Sequence, residues 1–327
     1  MRRLLPLLAL LAAPLPAATP VPVIFDTDMG NDVDDALALA MLHALQSRGE
    51  CRIVAVTVTK DNPWAATYID LVNTFYGRGQ IPVGVVKGSG ITPENSPMIQ
   101  VPAERKGSDG TFLYPRHLAS GKDAPDAGAV LRKVLAAEPD GSVVIVQVGF
   151  STNLARLLAS GDDAVALVRR KVKLLSIMAG NFSAPRPEFN VEKDVPSAQK
   201  LLRDWPGRIV ASGFEIGNSM LFPAAVIEHD FAYVDNHPIA DAYRHYMRMP
   251  YDRPTWDLTA ALYAVRPDRG YFSLSPSGEI TADAQGRTSF HPDPQGKHRY
   301  LIVDERQRTR TLEAMELLAS QPPDARR

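Results

Sequence analysis

The chain has 327 residues, 45% of them apolar and 22% charged, a mixture that fits a globular α/β protein and excludes disordered, collagenous and multi-span membrane classes. Lys and Arg number 36 against 37 for Asp and Glu, so the basic excess that binding a phosphate backbone requires is missing and nucleic acid is not an expected partner. Cys51 is the only cysteine, which rules out an intramolecular disulfide framework and a multi-cysteine zinc site.

The chain opens with Met1-Arg2-Arg3 and a charge-free stretch rich in Leu, Ala and Pro that runs to about Ala18. A basic start, a short apolar run and small residues at Ala17-Ala18 describe a cleavable secretion signal, too short and too interrupted by proline to span a bilayer. The expectation is a secreted or periplasmic protein starting near Thr19, with no membrane association once the signal is removed.

After it, apolar runs rich in β-branched residues recur at 21–25, 53–58, 81–86, 143–148, 172–178 and 208–211. Helical periodicity lies between them at 36–45, 127–137, 154–159 and 164–168. This alternation predicts an open, mostly parallel sheet with helices on both faces. Residues 88–122, rich in Gly, Pro, Ser and charge, read as a long mobile loop over the sheet edge. From about Pro223 the pattern predicts helices at 242–247 and 259–265, a hairpin within 273–291, a strand at 299–303 and a final helix at 311–319. With no internal repeat or linker composition, residues 19–327 read as one domain with C-terminal helical and hairpin elaborations.

The most informative segment follows the first strand. Asp26, Asp28, Asp32, Asp34 and Asp35 fall within ten residues, and neither Lys nor Arg occurs between Asp26 and Gln46. Two carboxylates about 4 Å apart repel by roughly 4 kcal/mol at an effective dielectric of 20, and a cation is the simple remedy. An all-oxygen set with Gly30 for a tight turn suits calcium or magnesium, while the absence of His and Cys disfavours zinc. Helix capping explains one or two such acids, not five. Counted from Asp26, the EF-hand glycine and glutamate positions hold Asn31 and Leu37, which excludes that loop. A haloacid-dehalogenase-type phosphatase also starts with D-x-D, but Met29-Gly30 stands where its Gly-Thr belongs.

Ligands of open α/β sheets bind beyond the carboxyl ends of the strands, and unusual polar groups gather there: Lys60-Asp61-Asn62, Gly149-Phe150-Ser151-Thr152-Asn153, Gly180-Asn181 and Glu188-Phe189-Asn190. Each alone reads as readily as a turn or a cap. Together they point to one site for a sugar's hydroxyls.

These residues resemble the nucleoside hydrolases of the inosine- and uridine-preferring type. The resemblance spans nearly the whole chain after the leader and rests on V-I-F-D-T-D-M-G-N-D-V-D-D-A-L-A at 23–38, G-F-S-T-N-L-A at 149–155, I-M-A-G-N at 177–181, P-E-F-N-V at 187–191 and W-D-L-T-A at 256–260. It implies a calcium-dependent hydrolase of the N-glycosidic bond, acting on small nucleosides and forming a dimer or tetramer. By position, Asp28 resembles the general base and a calcium ligand. Asp35, the Thr152 carbonyl and Asp257 resemble the other ligands, with Asp26 supporting them. Asp34, Asn62, Glu188 and Asn190 are similar to ribose partners, and Met178 and Asn181 to residues lining the sugar pocket.

The chain departs from the family's D-x-D-P-G-x-D-D by two extra residues between Gly30 and the Asp pair, so Asp32 is an alternative to Asp34 or an added metal ligand. Trp256 stands where many members carry a proton-donating His, which makes it a candidate to stack on the base. Two other readings are a non-catalytic, calcium-dependent periplasmic protein binding sugars or nucleosides, and the phosphatase.

Overall fold

The structure is a computed structural model that describes residues 19–88, 91 and 97–324; the expected secretion signal at 1–18 lies outside these. The strands and helices alternate from the start: β1 (Val21–Thr27), α1 (Asp34–Ser47), β2 (Cys51–Val58), α2 (Ala65–Phe75) and β3 (Val83–Val85). Then come α3 (Pro97–Glu104), α4 (Ala127–Ala137), β4 (Val143–Gln147), α5 (Thr152–Ala159), α6 (Asp162–Lys171) and β5 (Val172–Met178). The short α7 (Phe189–Glu192) and α8 (Val195–Asp204) lead to β6 (Ile209–Ser212) and α9 (Phe214–Asn218). A two-stranded ribbon of β7 (Leu221–Phe222) and β8 (Arg253–Pro254) encloses α10 (Ala224–His229) and α11 (Pro238–Tyr246). The chain finishes with α12 (Trp256–Val265), β9 (Ser273–Leu274), β10 (Gly278–Ala282), β11 (Thr288–Pro292), β12 (His298–Ile302) and α13 (Glu305–Ala319).

The main sheet runs β11-β10-β12-β6-β5-β4-β1-β2-β3, with β9 beside β12. From β3 to β6, and on to β12, every pairing is parallel. The C-terminal hairpin adds the antiparallel edge, in line with the expected open, mostly parallel sheet. Strand order reverses at β1, whose neighbours are β2 and β4. A reversal of this kind leaves a crevice at the carboxyl ends of the strands, and the Asp-rich loop begins there.

Side chains alternate across the sheet with the period of two that a strand imposes. Val23 and Phe25 of β1, with Val144 and Val146 of β4, pack in one core with α1, α2 and α12. Ile24, Val143 and Ile145 pack in the other, with α4, α5 and α8. Helix α1 is buried on all sides from Asp34 to Leu45, so its two leading carboxylates are carried into the protein by an apolar helix.

The region 88–122 differs from the expected loop. Within it α3 packs against α2 and α11, and Met98, Ile99 and Ala103 are buried. The Gly- and Pro-rich composition conceals a two-turn helix whose apolar residues fall on one face. Residues 89–90 and 92–96 lie outside the described residues.

Candidate active site

Gly30 turns the chain between β1 and α1 with φ of 109°, a conformation that favours glycine, and a Cβ there would lie 2.6 Å from Ile99 Cδ1. The turn delivers Asp34 and Asp35 to the amino end of α1, and Asp257 comes from the first turn of α12. One carboxylate oxygen from each of these three residues lies within 4.8 Å of the others, and all three residues are buried. The Asp257 N–H donates to Asp34 Oδ2 at 3.1 Å, and the Thr27 hydroxyl donates to Asp35 Oδ1.

Burial, followed by the repulsion of neighbouring acids, raises Asp35 and Asp257 well above the usual carboxylate range; burial and Asp32 do the same to Asp34. Two helix amino ends converge here with their favourable dipoles, yet the oxygens remain crowded. This all-oxygen set fits a hard divalent cation. The geometry therefore groups Asp34 with Asp35 and Asp257, whereas the family resemblance implies a ribose role for Asp34 and a metal role for Asp28.

Asp28 lines the cavity beside this trio. Burial raises its pKa to about 6, against the opposing effects of an Asn31 hydrogen bond and the Lys60 charge. Asp26 sits behind, fully buried. Its Oδ1 accepts from Thr57 Oγ1 at 2.5 Å and Asn153 Nδ2 at 2.8 Å, so it ties β1 to β2 and α5.

Two polar residues in the lengthened stretch between Gly30 and Asp34 each meet a cation. Asn31 donates to Asp28 Oδ2 and accepts from the buried Lys60 Nζ. Asp32 receives Arg253 Nε at 2.9 and 3.1 Å, and Arg253 Nη2 as well. The expectation of an acidic cluster with no cationic neighbour thus holds only along the sequence. Lys60 arrives from the turn after β2 and Arg253 from β8, two segments that the fold brings back to the loop.

The cavity measures about 320 Å³ and is lined by Asp28, Asp32, Asp34, Asp35, Met178, Glu188, Asn190, Trp256 and Asp257 among the expected residues. Asn31, Val148, Phe189, Phe214, Tyr246 and Arg253 complete the lining. Glu188 caps α7, accepting from the N–H groups of Asn190 and Val191, and also from Gly180 N–H. Burial lifts it to about 7. Asn190 Nδ2 donates to the carbonyls of Val148 at 2.8 Å and Met178 at 3.1 Å, joining the ends of β4 and β5.

Three expected residues lie outside the lining. Asn62 Oδ1 caps α2 through the N–H groups of Trp64 and Ala65. Asn181 Oδ1 holds a turn through Ser183 and Ala184, and Thr152 Oγ1 donates to Asp194 at 2.5 Å.

Trp256 is fixed by an Nε1–H bond of 2.9 Å to the Phe214 carbonyl and a tilted ring contact with Phe214 at 5.4 Å. The close approach of α9 makes this possible, because a Cβ on Gly217 would stand 2.3 Å from the Trp256 Cα. Arg253, Tyr246 and Phe214 were not singled out by sequence reasoning. They belong to no motif, and only Arg253, three residues before Trp256, lies close to one.

A family model described as inosine-uridine preferring nucleoside hydrolase matches residues 23–318. The chain belongs to this family. Among solved structures, a plant nucleoside hydrolase aligns at 22% identity and a TM-score of 0.66, covering 93% of this chain and 100% of that one. A purine-preferring ribonucleoside hydrolase from Gardnerella vaginalis aligns at 17% identity and a TM-score of 0.68, covering 91% and 99%. An inosine-uridine preferring nucleoside hydrolase from Bacillus anthracis aligns at 16% and 0.66, covering 92% and 99%. No curated protein matches the chain. As a nucleoside hydrolase the protein is a hydrolase of N-glycosyl bonds acting on small nucleosides, which leaves the phosphatase and the non-catalytic readings without support.

Proposed function

We propose that this nucleoside hydrolase is a calcium-dependent enzyme that releases free base and ribose from ribonucleosides, preferring purine ribosides, outside the cytoplasm. The observation that carries the reading is the buried trio Asp34, Asp35 and Asp257 beside Asp28 in one cavity. Asp35 and Asp257, with Asp34 and the neighbouring Asp28, would hold calcium; the Thr152 carbonyl, a ligand by family resemblance, belongs to a residue outside the cavity lining. When bound, calcium lowers the pKa of a coordinated water and positions it.

Asp28 takes the proton of the water that attacks the anomeric carbon. Its partner Asn31 orients the carboxylate, and its raised pKa suits a base working near neutrality. The transition state has oxocarbenium character, and the surrounding carboxylates stabilise its growing positive charge. Direct attack by water inverts the anomeric carbon. Asp34, Glu188 and Asn190 hold ribose hydroxyls against Met178, while Asn62 and Asn181 fix the turns that frame the sugar. Trp256 stacks on the departing base, a contact worth about 1–3 kcal/mol per base in other settings, and larger purine rings gain more from it.

The test is a panel of purine and pyrimidine ribonucleosides, incubated with the protein with and without calcium and scored for free ribose. The reading expects calcium-dependent ribose release with inosine ahead of uridine. No release from any nucleoside with calcium present would refute it, and a clear uridine preference would refute the stacking account.

A further inference from the structure

The cavity holds one strong donor with no role in the scheme above. Arg253 commits Nε and Nη2 to Asp32 and the second Nη2 hydrogen to Tyr246 Oη at 2.9 Å. Its guanidinium carbon lies 5.1 Å from the Tyr246 ring centre and 5.4 Å from the Trp256 ring centre. Nη1 makes no hydrogen bond among the described residues, although Arg253 lines the cavity. The group is thus clamped through Nε and Nη2, flanked by two aromatic rings, and left with Nη1 as an uncommitted donor in a cavity that Trp256 also lines. Asp32, which holds it, lies in the lengthened stretch of the acidic loop between Gly30 and Asp34.

We propose that Arg253, positioned by Asp32, stabilises the departing base by hydrogen bonding from Nη1. The inference rests on the nucleosidase reading. In the step, the bond between the anomeric carbon and the base nitrogen breaks and its electron pair passes to the base. The water oxygen bonds to the anomeric carbon and its proton goes to Asp28. Arg253 keeps its proton, since a guanidinium does not deprotonate in proteins. Its N–H donates to an in-plane nitrogen or carbonyl oxygen of the base, where the negative charge collects, and the base takes a proton from solvent after it leaves. A charged donor aimed at developing charge is the strong form of hydrogen bond. The device supplies leaving-group assistance beside Trp256, whose indole has no acidic proton to give a departing base. Asp32 acts as a positioning residue.

The experiment compares kcat and KM for inosine and p-nitrophenyl riboside, whose leaving group departs as a stable anion, in the calcium-loaded wild type, Arg253→Met, Arg253→Lys, Asp32→Asn and Tyr246→Phe. Removing a single donor of this kind costs about 10²–10³ in kcat. That loss is expected for Arg253→Met on inosine, with a loss at least tenfold smaller on the nitrophenyl substrate. Arg253→Lys keeps the charge without the fork that grips Asp32 and should recover only part of the inosine rate. Asp32→Asn should show the same leaving-group selectivity in milder form. Melting curves check that each variant is folded. Equal losses on both substrates in Arg253→Met and Arg253→Lys would overturn the proposal, as would a selective loss confined to Tyr246→Phe. A wild type inert on both substrates would overturn the nucleosidase reading and the proposal with it.

Discussion

Asp28 and Asp35 stand seven residues apart on one loop and helix start, and their neighbours separate their roles. Asp35 is locked by Thr27 into the carboxylate trio, whereas Asp28 faces the cavity with Asn31 as its partner. Asp28→Asn should lose about 10²–10⁴ in kcat, the usual contribution of a general base, with a much smaller change in the affinity for ribose. Steady-state kinetics and ribose inhibition measure both quantities, and wild-type turnover would reassign the base. At Trp256 the loss in the alanine variant should be larger for inosine than for p-nitrophenyl riboside, because only the purine needs help to leave. Equal losses would limit Trp256 to shaping the pocket.

Among the elements, the strands and helices with clear periodicity were legible before the structure. Helix α4 and strand β5 fall on their expected residues, and the acidic loop lies at the strand-order reversal where an α/β ligand site belongs. What pattern reasoning missed has a physical cause in each case. Pro, Ser and Gly surround α3 and mask its short apolar face, and the Asp32–Arg253 pair joins residues separated by 221 positions, a relation that no local window contains. Asn62 and Asn181 stand out by their place beyond strand ends, but the same side chain that signals a sugar site also caps a helix or a turn. Helix α3 gives the structure a direct test. Ile99 is fully buried and abuts Gly30, so Ile99→Ala should cost about 2–4 kcal/mol in urea unfolding. A cost under about 1 kcal/mol would contradict the docking of α3 against the acidic loop.

For the molecule as a whole, pH and cation act on different groups. His43 is fully buried, with Nε2 2.9 Å from Asn73 Oδ1, Nδ1 3.3 Å from Arg78 Nη1, and its ring stacked on Tyr76. Burial and then the Arg78 charge depress its pKa from the ordinary 6.5 to about 3. The unfolded chain therefore takes up a proton at a pH where the folded one does not. The stability His43 contributes is complete above about pH 6.5 and declines as pH falls toward 3, by about 1.4 kcal/mol per unit over most of that window. Compared by urea unfolding at pH 7, 6 and 5, His43→Gln should close its stability gap to the wild type, by about 1 kcal/mol from pH 6 to 5 and by about half as much from pH 7 to 6, and a constant gap would contradict the assignment. No helix among the described residues is long and apolar enough to cross a membrane. If the leader is a secretion signal, the exported protein should begin near Thr19 in N-terminal sequencing, and an intact Met1 on the functional protein would contradict that expectation.

The claim on which the other functional roles depend is that the carboxylate trio holds the calcium that makes the site work. Calcium titrated into chelated protein, with bound metal and ribose release measured on the same samples, tests it most directly. The account predicts activity that is absent without metal, rises in proportion to bound calcium and saturates at about one equivalent per chain. Full turnover in verified metal-free protein would contradict it.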